Sequence, residues 1–189
     1  MRRLFAFAIM FLFLNVASGM VSVDAGEKAP QKIVEYAQAK LVKLGADPVI
    51  VKAVKAENAK GKSLDQIKEM DKKWMATPGI ADFMKALMDS ECGKHLKAIQ
   101  ASAPYYAEIF VMDNQGANVC MSDKTSDYWQ GDEDKFIESY KGGAGAVHIG
   151  NVKFDDSTQA YLVQASVPVK DQGKVIGAIT IGINVEKFK

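Results

Sequence analysis

Residues 160–185, AYLVQASVPVKDQGKVIGAITIGINV, decide the fold. Two β-branched runs flank the polar turn Asp171-Gln172-Gly173, and such a turn between alternating runs makes them antiparallel neighbours, Ala160 to Val169 and Lys174 to Val185. Because side chains alternate across a strand, Tyr161, Val163, Ala165, Val167 and Val169 share one side, and Leu162, Gln164 and Ser166 share the other. In the second run Val175, Ile179, Ile181, Ile183 and Val185 oppose Ile176, Ala178, Thr180 and Asn184. One face is a dry core surface. The other mixes small and polar groups, as a sheet does where it lines a pocket. Gly177 and Gly182 interrupt the second run, and mark bulges, the close approach of another backbone, or a weakened strand.

Upstream of this hairpin, Tyr106 to Met112 and Ala117 to Met121 read as two strands joined by Asp113-Asn114-Gln115-Gly116. An irregular stretch, Ser122 to Gly131, leads into a short helix from about Asp132 to Tyr140 that stops at Gly142 and Gly143. A third strand is expected from Val147 to Phe154, followed by the polar tip Asp155-Asp156-Ser157-Thr158. The total is five antiparallel strands.

Before Pro104 the period changes to that of helices. Ile33, Ala37, Leu41 and Leu44 form one face and Gly45 sits where a left-handed cap ends it. Asp47-Pro48 is an N-cap with proline at the first helical position, Ser63 and Gln66 make a capping box, and Thr77-Pro78 repeats the cap-and-proline signal. A last helix runs from Glu91 to Ala101. The first face either covers the dry side of the sheet, the favoured reading, or pairs two chains into a homodimer. Met70, Met75, Met84 and Met88 at helical spacing are core filling rather than a soft-metal site.

The chain has 189 residues, 48% of them hydrophobic, enough for one good core. Its formal net charge of +1 provides no field to hold nucleic acid. Arg2 and Arg3 precede an uninterrupted apolar run, Leu4 to Leu14, which has the length of a signal-peptide core and falls short of the roughly 20 residues that span a bilayer. Residues 1–25 therefore read as an export signal with cleavage after Ala25; an uncleaved anchor is the competing reading. Either way the remainder lies outside the cytoplasm, periplasmic or secreted. That compartment favours pairing Cys92 with Cys120, a closure worth about 3 kcal/mol, against two free buried thiols.

The stretches Met112-Asp113-Asn114-Gln115-Gly116, Lys124-Thr125-Ser126-Asp127-Tyr128-Trp129-Gln130-Gly131-Asp132-Glu133, and Val167-Pro168-Val169-Lys170-Asp171 through Gly177 resemble the PDC sensor domains, also called Cache domains, of chemoreceptors and sensor histidine kinases. The resemblance covers roughly Glu91 to Phe188. It implies an α+β, PAS-like five-stranded antiparallel sheet over residues 102–189, with residues 26–101 as its N-terminal helical region. It also implies a small extracellular ligand, often a carboxylate or amino acid, held between the sheet and the loop after the second strand. The residue chemistry of that loop agrees: Lys124 is a point cation, Ser126 and Tyr128 offer hydroxyls, and Trp129 offers an indole face and N–H. His148, Gln164 and Ser166 are placed to reach the ligand from the sheet. The competing reading has Tyr128 and Trp129 plugging the core and Asp132 capping the short helix.

Chemistry of other kinds has little support. Two histidines, His95 and His148, and the lack of G-x-S-x-G, H-E-x-x-H or G-x-G-x-x-G motifs argue against an enzyme, and no metal or cofactor is called for. Asp155-Asp156 needs no Ca²⁺ to explain a polar hairpin tip. The expectation is a stand-alone sensor that reports through a separate membrane-bound receptor or kinase. The alternative is a PAS-like structural or interaction protein of the envelope that binds no ligand.

Overall fold

The computed structural model describes residues 26–189, so the export signal expected over residues 1–25 lies outside the described residues. The elements run α1 (Gln31–Ala39), a 3-10 helix (Leu41–Ala46), α2 (Pro48–Asn58), α3 (Leu64–Ala76), α4 (Asp82–Met88), α5 (Glu91–Ala101), β1 (Tyr106–Met112), β2 (Asn118–Met121), α6 (Asp134–Tyr140), β3 (His148–Ile149), β4 (Lys153–Asp155), β5 (Ala160–Asp171) and β6 (Lys174–Asn184). The sheet order is β2-β1-β6-β5-β3, every pairing antiparallel, with β4 also on β5. The α+β architecture and its helical preface are those expected.

Local signals explain most helix boundaries. Asp47 Oδ1 accepts the amides of Val49 (2.9 Å) and Ile50 (3.2 Å) at the start of α2. Ser63 and Gln66 form the reciprocal capping box of α3. Thr77-Pro78 does not open the next helix. Thr77 instead closes α3, its hydroxyl donating to Lys73 O (2.6 Å), and Gly79 at φ +66° turns the chain before α4 begins at Asp82. The first helix also ends early, at Ala39, and its face continues in 3-10 geometry to Ala46.

The expected third strand is broken into β3 and β4. Both halves occupy the same edge of β5, so the sheet keeps five strand positions with six strands. At the break Val152 turns into the core, 1% exposed, and its backbone leaves the ladder. The orphaned groups find partners in the segment ahead of α1: Val152 N–H donates to Glu27 O (2.8 Å), and Gly26 N–H donates to Val152 O (2.7 Å).

The dry face carries the main core. Val163, Ala165, Val167, Val169, Ile179, Ile181 and Ile183 meet Ile33, Ala37 and Leu41 from the first helical face, Ile50 and Val54 from α2, and Leu96 from α5. The stripe that also suited a homodimer is thus spent on its own sheet. The 3-10 helix lies directly on β5, where a Cβ at Gly45 would stand 2.2 Å from Pro168 O. Cys92 and Cys120 form a disulfide between α5 and β2. Among the described residues no helix is long and apolar enough to cross a membrane.

Candidate functional site: a cleft on the mixed face of the sheet

The opposite face of the sheet divides into three zones. Under α3, α4 and α6 lies a second hydrophobic cluster, in which Phe110, Met112, Met121 and Ala178 of the sheet meet Ile67, Trp74, Met84, Met88, Tyr128 and Phe136. Met84 and Met88 are therefore core, while Met75 is 59% exposed.

The middle zone is a polar seam. Ser166 and Thr180, paired across β5 and β6 and both fully buried, share a hydroxyl hydrogen bond of 2.8 Å. Two pairs further along, on the same face, Gly182 of β6 sits between Gln164 of β5 and Glu108 of β1. Having no side chain, it lets the two flanking side chains meet above it: Gln164 Nε2 donates to Glu108 Oε1 at 2.8 Å, and a Cβ at Gly182 would stand 2.5 Å from Glu108 Cγ. Burial is the main influence on the Glu108 carboxyl and raises its pKa above the usual 4.5, with the charges of Asp155 and Asp123 acting in the same sense. The Gln164 bond and the Lys135 ammonium oppose the shift without cancelling it.

The third zone is open. A cavity of about 570 Å³ lies between the Asp132–Lys135 segment at the start of α6 and the wall formed by β3, β4 and β5, with Gln164 and Leu162 at its sheet side. Lys135 is the sheltered cation here, its side chain only 12% exposed; its Nζ lies 3.0 Å from Glu133 Oε2 and 5.3 Å from the Phe110 ring centroid. Asp155 Oδ1 accepts Ser157 Oγ (2.6 Å), Thr158 N–H (2.7 Å) and Thr158 Oγ1 (2.9 Å). Burial would raise its pKa, but these bonds to the charged form outweigh burial and lower it. Phe154, 46% exposed, packs edge-on against Tyr161 at 5.3 Å between ring centroids.

The residues singled out in the sequence separate into two groups. His148 and Gln164 line the cavity, and Ser166 lies sealed in the seam beside it. The segment from Lys124 to Trp129 packs elsewhere. Lys124 Nζ donates to Gly79 O (2.7 Å) and Thr77 O (3.3 Å), and Ser126 Oγ is 3.0 Å from Asp127 Oδ1. Tyr128 is 4% exposed and lies 5.9 Å from Trp74, ring to ring, while its hydroxyl accepts from Lys62 Nζ (3.2 Å). The Trp129 indole N–H donates to Gln115 O (2.8 Å), and Lys68 Nζ stands 4.6 Å from the ring centroid. Buried Asp71 fastens both residues, its Oδ1 accepting the amides of Tyr128 (2.8 Å) and Trp129 (3.0 Å). The space between that segment and the sheet is filled by the second cluster. No sequence motif singles out Lys135, Glu108 or Phe154 as lining or bordering the cavity. Strand alternation could have flagged Glu108, on the same side of β1 as Phe110.

No protein-family profile matches the sequence, and no curated protein matches it. Solved structures similar to it include the sensor domain of the Vibrio cholerae histidine kinase DctB, at 13% identity and a TM-score of 0.48 over 82% of this chain and 50% of that one. The sensory domain of the Campylobacter jejuni chemoreceptor Tlp3, crystallised with isoleucine bound, is 18% identical with a TM-score of 0.41 over 82% of this chain and 61% of that one. An extracellular ligand-binding receptor from Desulfohalobium retbaense is 15% identical with a TM-score of 0.39 over 74% of this chain and 25% of its own. This chain spans at most about three fifths of these chains, and at such scores what they bind remains theirs alone.

Proposed function

We propose that this chain is an extracytoplasmic small-molecule sensor of the PAS-like PDC (Cache) kind, taking a carboxylate or amino-acid-like ligand and reporting through a membrane-bound receptor or kinase. The observation that carries the reading is the half-open cavity of about 570 Å³ on the polar side of an otherwise well-packed sheet. Its site residues are His148 and Gln164 together with the start of α6. The expected export signal agrees with a site facing the cell exterior.

Thermal unfolding of the protein with a panel of carboxylates, amino acids and amines tests the proposal. A ligand present at a hundred times its Kd adds about 2.7 kcal/mol of apparent stability. The expected result is a raised Tm for at least one compound, lost in Gln164→Leu. Silence across the panel would overturn the sensor reading in favour of a ligand-free envelope scaffold. The close packing of Tyr128 and Trp129 favours that second reading, because it removes one of the two surfaces from which a ligand was expected to be held.

A further inference from the structure

The charge of the cavity narrows what it can hold. Four carboxylates line it, on Asp132, Glu133, Asp134 and Asp155, against the ammonium groups of Lys135 and Lys153. Lys153 is exposed. Lys135 is sheltered, but its charge is already met by Glu133 and by the face of Phe110. A carboxylate entering here finds no uncommitted, sheltered cation to replace its hydration and meets an excess of like charge.

An ammonium group finds the reverse. Asp132 and Asp134 are exposed on the α6 side, and no side-chain hydrogen bond engages either among the described residues. Across the cleft stands the accessible ring of Phe154 on β4, and an aromatic face beside carboxylates is the usual setting for an organic cation. A metal ion is a poorer fit, because among the described residues no group of three or more His, Cys, Asp or Glu side chains is gathered closely enough to hold one.

We infer that the cleft between the start of α6 and β4 selects amine-bearing organic cations and rejects carboxylic acids that lack an amine. The inference rests on the sensor reading and narrows its ligand class: of carboxylates and amino-acid-like compounds, only those with an ammonium group qualify, and a simple amine binds at least as well.

Isothermal titration calorimetry of the intact protein at low salt, with putrescine, γ-aminobutyrate and succinate as probes, tests this. Putrescine is expected to bind, with affinity falling as salt is raised, and succinate is not. The double substitution Asp132→Asn/Asp134→Asn, at exposed positions, is expected to weaken putrescine about tenfold or more while the protein still melts cooperatively. Phe154→Leu is expected to weaken it about threefold or more. Succinate binding without putrescine binding would overturn this inference and leave the sensor reading standing. So would putrescine binding unchanged in both variants, since the amine would then sit elsewhere. Silence toward these probes and toward the whole panel would remove both readings together.

Discussion

Glu108 shows how one side chain ties stability to pH. Its carboxyl is held protonated to higher pH in the folded chain than the usual 4.5, chiefly by burial. Between 4.5 and the raised folded value the native state binds more protons than the unfolded state, so this residue lowers stability as pH rises through that window. Below the window it costs nothing. Glu108→Gln keeps an acceptor for Gln164 Nε2 and removes the titration. The variant is expected to match the parent below that window, to exceed it in stability by a margin that grows through the window, and to keep a constant margin above it, as read by urea midpoints across pH. A margin independent of pH would show that folding leaves the Glu108 pKa at its usual value. Alternation gives Gln164 and Ser166 a common face of β5, and that much was legible in the sequence; that Gln164 lines the cavity while Ser166 is sealed beside it was not. Lys135 was not legible: its shelter comes from Phe110 and Glu133, and no local pattern announces a lysine lying over a ring from another element.

At the level of elements, what the sequence disclosed was what neighbouring residues determine. The cap of α2 and the box of α3 are exchanges within four residues, and both stand as read. Thr77-Pro78 failed because the same residues that can open a helix can also close the one before, and the contact of Lys124 with Thr77 O and Gly79 O, made from far along the chain, fixes that turn. Gly177 settles another open choice. A Cβ there would stand 2.3 Å from Met112 O and 2.9 Å from Val54 Cγ1, so the glycine marks the close approach of backbone rather than a weak strand. Gly177→Ala must push β1 or α2 away, and a loss of about 2 kcal/mol or more is expected in denaturant unfolding. An unchanged midpoint would mean that β6 shifts freely against β1.

Over the whole molecule, one sheet serves two purposes with its two sides. The dry side could be read from periodicity, since Ile33, Ala37 and Leu41 at helical spacing and the alternate residues of β5 and β6 each expose a single apolar face. The position of the cavity could not be read, because it depends on which half of the mixed side the α3, α4 and α6 cluster covers, a matter of long-range packing. The Cys92–Cys120 bond spans this arrangement by pinning α5 to β2 across 28 residues of chain. Cys92→Ala/Cys120→Ala is expected to cost about 3 kcal/mol, read as a lowered urea midpoint, with the secondary structure retained by circular dichroism. A midpoint equal to the parent's would mean that the packing of α5 suffices without the bond.

The clasp of Gly26 and Glu27 on Val152 has a practical consequence. Those two amide links are the outer brace of the same β3–β4 edge that walls the cavity, so an affinity handle or dye attached close to Gly26 disturbs the compartment it is meant to leave alone. Labels belong at the far tips of the molecule, such as the exposed Gln172-Gly173 hairpin, and the Val152 amide proton itself becomes a built-in gauge of whether the wall is at rest.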